Sequence, residues 1–180
     1  MTHHLRKFEQ ELTRRLSDSP RFIQLVCGPR QVGKTTGVQA VLESAFPGIF
    51  SYHECEAALL SPNWFLSEVQ RAEEEEKKII VFDEIQKIDA WGELVKLAWD
   101  QQKRQKKLMH WVLLGSSSLK LTQGASDSLA GRFELIPVHH WGFLESQTAF
   151  AVDFDTYLNY GGYPAAVSYT HLTLPTTPYV

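Results

Sequence analysis

Residues 25–37 read LVCGPRQVGKTTG: an apolar run, a loop with two glycines, then a lysine and two threonines. Gly28, Gly33, Lys34 and Thr35 fit the pattern GxxxxGK followed by Ser or Thr, which needs a strand before it and a helix after it. Both flanks comply. RFIQLVC (21–27) reads as a strand, and Val38, Val41 and Leu42 fall at helical spacing between Lys34 and about Ala45, with Pro47 and Gly48 closing the helix. Glycines let the backbone turn with its N–H groups inward, so that they and the helix N-terminus meet phosphate oxygens. On this reading Gly28, Pro29, Arg30, Gln31, Val32, Gly33, Lys34, Thr35 and Thr36 cradle a nucleotide. Lys34 reaches the β and γ phosphates, in a catalytic as well as a binding role, and Thr35 offers a hydroxyl to Mg²⁺. Taken alone, the loop also suits a plain glycine turn at a helix start.

A second segment bears on that choice. In KIIVFDEI (78–85), four apolar residues precede Asp83 and Glu84, and such an uninterrupted run suits a strand covered on both faces. At the strand end Asp83 can hold the metal and Glu84 can orient or deprotonate a water. The alternative is that one or both cap the following helix. LMHWVLLGSSS (108–118) ends another strand in hydroxyls, where Ser116 can meet a γ-phosphate or simply belong to a serine-rich turn. Arg132, the last residue of SLAGR (128–132) where the strand RFELIPVHHW (132–141) begins, is a candidate arginine finger, acting in cis or towards a neighbouring subunit, or else a surface arginine.

The remaining pattern completes an α/β reading. Leu5, Phe8, Leu12 and Leu16 mark an amphipathic helix over 4–17, and IFSYHEC (49–55) reads as a strand. Ser61 with Pro62 starts a helix that runs into RAEEEEKK, and Trp91, Leu94, Val95, Ala98 and Trp99 line another that ends in DQQKRQKK. Strands alternating with helices predict a mainly parallel sheet.

At 180 residues, with 43% apolar and 22% charged residues, the chain has ordinary globular composition. A net charge of −3 gives no bulk reason to expect nucleic acid or an anionic membrane as partner, and KRQKK (103–107) suits a solvated helix end. Cys27 and Cys55, far apart, suggest neither a disulfide framework nor a zinc site, which fits a reducing cytoplasm. No signal-type or membrane-spanning stretch is visible, so a cytoplasmic location is expected. The pairs His3–His4 and His139–His140 would point to opposite faces of a strand, with no cysteine or acid nearby to complete a metal set. GSSS is not a GxSxG elbow, and the absence of an NKxD-type motif favours ATP over GTP.

CGPRQVGKTT, VFDEIQKIDAW, LLGSSSLKL, SLAGRFELIPV and YLNYGGYPAAV occur in this order, and over about residues 20–166 the chain resembles the prokaryotic AAA-domain ATPases that carry a C-terminal domain of unknown function. The resemblance implies a RecA-like P-loop core with an extra strand between the two acidic-motif partners, ATP and Mg²⁺ as ligands, a sensor at Ser116 and a functional Arg132. With Asp83 and Glu84 beside the loop, the expected function is an ATPase whose Mg²⁺-dependent hydrolysis is coupled to a conformational change in a C-terminal domain or a partner, protein or homo-oligomeric. An ATP-dependent interaction switch with negligible hydrolysis is the second expectation. A P-loop kinase ranks last, because the arginines are scattered. Gly37 stands where such proteins usually have a large apolar residue. Looser packing behind the loop is therefore expected, glycine in a helix costing about 1 kcal/mol.

The expected organisation is an N-terminal amphipathic helix over 1–19, an ATPase domain over 20–150 and the start of a truncated C-terminal region over 151–166. From Val167, VSYTHLTLPTT departs from the family pattern and reads as the in-frame translation of a transposon-type sequencing adaptor. The last 14 residues are therefore expected to be non-native and are left out of the fold reading.

Overall fold

In the computed structural model, which describes residues 5–55, 61–116 and 128–163, the acidic segment forms β3 (Ile79–Asp83), buried at all five positions. It stands beside β2 (Phe50–Glu54) on one side and β4 (His110–Ser116) on the other; β4 pairs with β1 (Ile23–Gly28), and β1 with β5 (Phe133–Pro137). All four pairings are parallel, so the described strands make one five-stranded parallel sheet in the order β2-β3-β4-β1-β5. The uninterrupted apolar runs of β1, β3 and β4 are thereby explained. These three are the interior strands, with helices over both faces, whereas the edge strands β2 and β5 are only partly buried.

Alternation along each strand divides the core in two. Leu25, Ile80, Phe82, Trp111 and Leu113 face α3 (Pro62–Glu74) and α4 (Trp91–Gln105), packing on Phe65, Val69, Val95 and Trp99. Val26, Ile79, Val81, Val112 and Leu114 face the opposite way, onto α2 (Lys34–Ala45) and the N-terminal α1 (Lys7–Ser17). Helix starts and ends follow local chemistry. Ser61 Oγ accepts from Trp64 N at 3.2 Å with Pro62 in the first turn of α3. α3 runs into the glutamate run as expected and stops within it at Glu74, two residues before Glu76 takes a left-handed φ of 54°. α4 ends in exposed Lys103 and Arg104, as the solvated-end reading of KRQKK expects.

Three expectations need correction. α1 starts at Lys7 rather than residue 4: Arg6 is extended, its N–H capped by Glu9 Oε2 at 3.1 Å, and Leu5 lies exposed off the buried stripe. The strand expected to reach residue 141 ends at Pro137, and α5 (Phe143–Phe150) and α6 (Phe154–Tyr160), which the pattern reading did not locate, follow it. The packing at Gly37 is not loose. A Cβ there would stand 2.4 Å from Phe8 Cζ and 2.5 Å from Glu9 Oε1, so α1 occupies the room that a large side chain would use. Gly37→Leu is expected to lower stability by about 1–3 kcal/mol through overpacking, outweighing the gain in helix propensity. Urea or thermal unfolding measures it; an unchanged midpoint would mean that α1 does not pack there.

Residues 164–166 of the proposed C-terminal region, the adaptor-like 167–180, and His3 and His4 lie outside the described residues. Among the described helices none is long and apolar enough to cross a membrane.

Candidate nucleotide-binding site

In a parallel sheet every strand delivers its C-terminal end to the same edge, and ligands of open α/β sheets bind there. Gly28 ends β1, Asp83 ends β3 and Ser116 ends β4, the strand between them, with Gly28 in register with Ser116. Two loop glycines are demanded by geometry. A Cβ on Gly28 would lie 2.1 Å from the Val138 carbonyl oxygen, and Gly33 holds a φ of +87°.

Lys34, 7% exposed, donates from Nζ to the carbonyls of Gly28 at 2.9 Å and Pro29 at 2.6 Å, closing the loop on itself. Burial pushes its pKa down, against the pull of the Glu84 and Asp83 carboxylates. Thr35 Oγ1 donates to Asp83 Oδ2 at 2.6 Å, joining loop and acidic strand across 48 residues of sequence. Tyr52 Oη, from β2, donates to the same oxygen at 2.7 Å, and burial together with Asp83 pushes the phenol pKa well above its usual value.

Glu84 leaves the strand in a left-handed conformation, φ 56°, which ends β3 at Asp83 instead of the expected residue 85 and opens a single 3₁₀ turn, Ile85–Lys87. A residue so strained carries functional interest. Its carboxylate does not cap that turn but accepts from Gln86 Nε2 at 2.5 Å, and α4 starts only at Trp91, so the capping alternative loses its support at Glu84. Arg30, Gln31, Gly33, Lys34, Thr35, Thr36, Glu84 and Lys87 line an open cavity of about 730 Å³.

The donor set suits a hard divalent ion. Neighbouring oxygens of octahedral Mg²⁺ stand about 3 Å apart, close to the Thr35–Asp83 separation, and Mg²⁺ takes its other ligands from phosphates and water. Among the described residues no three or more His, Cys, Asp or Glu side chains are grouped so that they could hold a metal ion by themselves, and a site of this kind asks for only one or two protein oxygens.

Val32 differs from its neighbours in the loop. Its side chain is fully buried, and its carbonyl accepts from Arg6 Nη1 at 2.7 Å and from Trp141 Nε1 at 3.1 Å. Arg6 also donates to the His139 carbonyl at 2.9 Å and lies 4.4 Å over the Trp141 ring. The loop is thus tied to the start of α1 and to the segment leaving β5. Sequence reading missed Arg6, Tyr52, Gln86 and Trp141; only Gln86, two places after the acidic pair, had a positional clue.

Arg132 is not brought to the loop. Its carbonyl accepts from Ile23 N, at the beginning of β1, and its guanidinium grips Asp100 of α4 with two bonds of 3.0 Å. The six residues of β1 put it roughly 16 Å from Gly28, so its expected role in cis is corrected: it stands at the far edge of its own sheet.

A family model described as an AAA domain matches residues 20–147. No curated protein matches the chain. Among solved structures, one described as the structural basis for katanin self-assembly is similar with a TM-score of 0.59 and 16% identity, over 81% of this chain and 54% of that one. The Thermotoga maritima RuvB Holliday junction branch migration motor gives 0.57 at 16% identity, over 91% and 59%. Bacteroides sp. Pif1 in complex with ADP-AlF4 gives 0.50 at 12%, over 87% and 45%. At these identities the likeness concerns the fold, and the chain spans about half the length of the structures it matches.

Proposed function

Because this chain belongs to the AAA domain family of P-loop ATPases, we propose that it binds Mg²⁺·ATP at residues 28–36 and hydrolyses it. The observation that carries this reading is the Thr35–Asp83 contact, which sets a hydroxyl and a carboxylate side by side next to Lys34 and Glu84. In this mechanism the loop N–H groups and the N-terminus of α2 receive the phosphates. Lys34 exchanges the Gly28 and Pro29 carbonyls for a phosphate oxygen, and Thr35 and Asp83 hold the metal. Bound Mg²⁺ supplies neutralisation of the charge developing on the phosphate oxygens. Glu84 accepts the proton of the attacking water, and Ser116 donates to the γ-phosphate from the neighbouring strand end.

Katanin is described as self-assembling and RuvB as a motor. By analogy we assign this protein to a homo-oligomer, with Arg132 acting on a neighbouring copy, and place its output in a conformational change of a C-terminal domain or a protein partner. The Gln86 bond on Glu84 and the inward-folded Lys34 favour, as the second reading, a nucleotide-dependent switch with negligible turnover.

ATP binding and phosphate release, each measured with and without EDTA, test the proposal. Metal removal is expected to weaken ATP binding about tenfold or more, equivalent to about 1.4 kcal/mol, and to stop phosphate release. Equal affinity in both conditions would remove Thr35 and Asp83 from a metal role.

A further inference from the structure

Lys87 lines the same cavity as Lys34, Thr35 and Glu84, yet the proposed hydrolysis gives it no part. Its place follows from the turn that carries it. After β3 the chain makes one 3₁₀ turn, in which Lys87 N donates to the Glu84 carbonyl and Ile88 N to the Ile85 carbonyl, each at 3.0 Å. Side chains three apart in such a turn project the same way. Ile85 and Ile88 are fully buried in the core and fix its phase, which leaves Glu84 and Lys87 as the pair that reaches the cavity. The Lys87 side chain is exposed and makes no hydrogen bond or ion pair with any described residue, while Glu84 is occupied by Gln86 Nε2. An ammonium group held on the cavity side without a carboxylate partner stays open to an anion. The other cations of the cavity, Arg30 and Lys34, are carried by the loop, and Arg132 is spent on Asp100 at the far edge of the sheet.

We propose that Lys87 is a catalytic residue whose ammonium group meets the γ-phosphate on the side of the attacking water and neutralises charge in the transition state within its own chain. This inference rests on the hydrolytic reading above. In the step concerned, the water oxygen bonds to the γ-phosphorus as the bond to the β–γ bridging oxygen breaks. Glu84 takes a proton of the water, and ADP leaves with the electron pair of the broken bond. Positioned positive charge is the main help that a protein gives to such a transfer. Because Glu84 and Lys87 leave the turn on one side, the phosphate that meets the Glu84 water also meets this ammonium group. The charge is supplied in cis, so one copy suffices for basal hydrolysis, and Arg132 acting from a neighbouring copy adds to it.

Steady-state hydrolysis of Mg²⁺·ATP and equilibrium binding of Mg²⁺·ADP with and without aluminium fluoride, run on the full chain as wild type, Lys87→Met and Lys87→Arg, test this. Lys87→Met keeps most of the stem and drops the charge. It is expected to lower kcat about 10- to 100-fold with KM for ATP within about twofold, the mark of an interaction made only in the transition state. Aluminium fluoride stands in for the transferring phosphoryl group, so the affinity that it adds to ADP should fall by a similar factor while ADP alone binds as before. Lys87→Arg, which retains a positive charge, should recover most of the rate. Unfolding midpoints should not move, because the side chain is exposed and holds nothing. The loss should be the same in dilute and in concentrated protein. An active wild type whose kcat and aluminium fluoride effect are unchanged in Lys87→Met, a loss confined to KM, a Lys87→Arg variant as slow as Lys87→Met, or a loss seen only in concentrated protein overturns the role of Lys87 and leaves the hydrolytic reading standing. A wild type that releases no phosphate overturns both.

Discussion

Glu84→Gln is expected to reduce phosphate release about 10²- to 10⁴-fold while ATP affinity stays within about twofold, the range typical of losing a general base. The substitution keeps the size and planarity of the side chain and removes its ability to take a proton. Affinity should survive because the groups that would meet phosphate lie elsewhere, on the loop and at Lys34, whose bonds run to Gly28 and Pro29. The strained backbone at Glu84 should tolerate the change, since glutamine meets the same demand for a left-handed φ. Single-turnover phosphate release and equilibrium ATP binding measured on the same preparation separate the outcomes. Turnover retained in the variant would move water activation away from Glu84. A wild type that binds ATP but releases no phosphate would make the protein a switch, with no turnover for the variant to lose.

Lys34→Ala is expected to weaken ATP binding about 10- to 100-fold, the worth of a charge-assisted contact of about 1.5–3 kcal/mol. The structure adds a complication that the sequence does not show. Lys34 is buried and bonds two loop carbonyls, so its removal also leaves Gly28 and Pro29 without that donor and loosens the cradle. Lys34→Met, which keeps the apolar stem, separates the two effects: both variants should lose ATP affinity, and the methionine should recover part of any lost stability. Unchanged affinity in both would take the phosphates off this loop.

Much of this was readable beforehand, because the deciding signals are short-range. The apolar run of β3 announced an interior strand, and its following acids marked a strand end. A glycine at 33, where φ is +87°, is the ordinary solution to a left-handed turn. Arg132 shows a signal that was present but unused. A residue preceding a strand that runs parallel to β1 must sit at the edge opposite the loop, so the parallel reading already argued against a role in cis. Gly37 was misjudged because helix propensity sees only one helix, whereas the space at that glycine belongs to Phe8 and Glu9 of another.

From its sequence alone, this protein's parallel α/β architecture, its phosphate-type loop and its acidic pair were determined, since period, turn chemistry and strand ends are written within a dozen neighbouring residues. Tertiary structure alone decided what holds that loop and what restrains that acid. The Val32 carbonyl is gripped by Arg6 and Trp141, which lie 26 and 109 residues away, Asp83 takes Tyr52 from the edge strand, and the Gln86 amide that bonds its near neighbour Glu84 is set beside Ser116, 30 residues further on. Such partners are chosen by how helices and strand ends pack around a shared edge. Hydrogen-bond geometry between distant segments leaves no period in the chain from which it could be read.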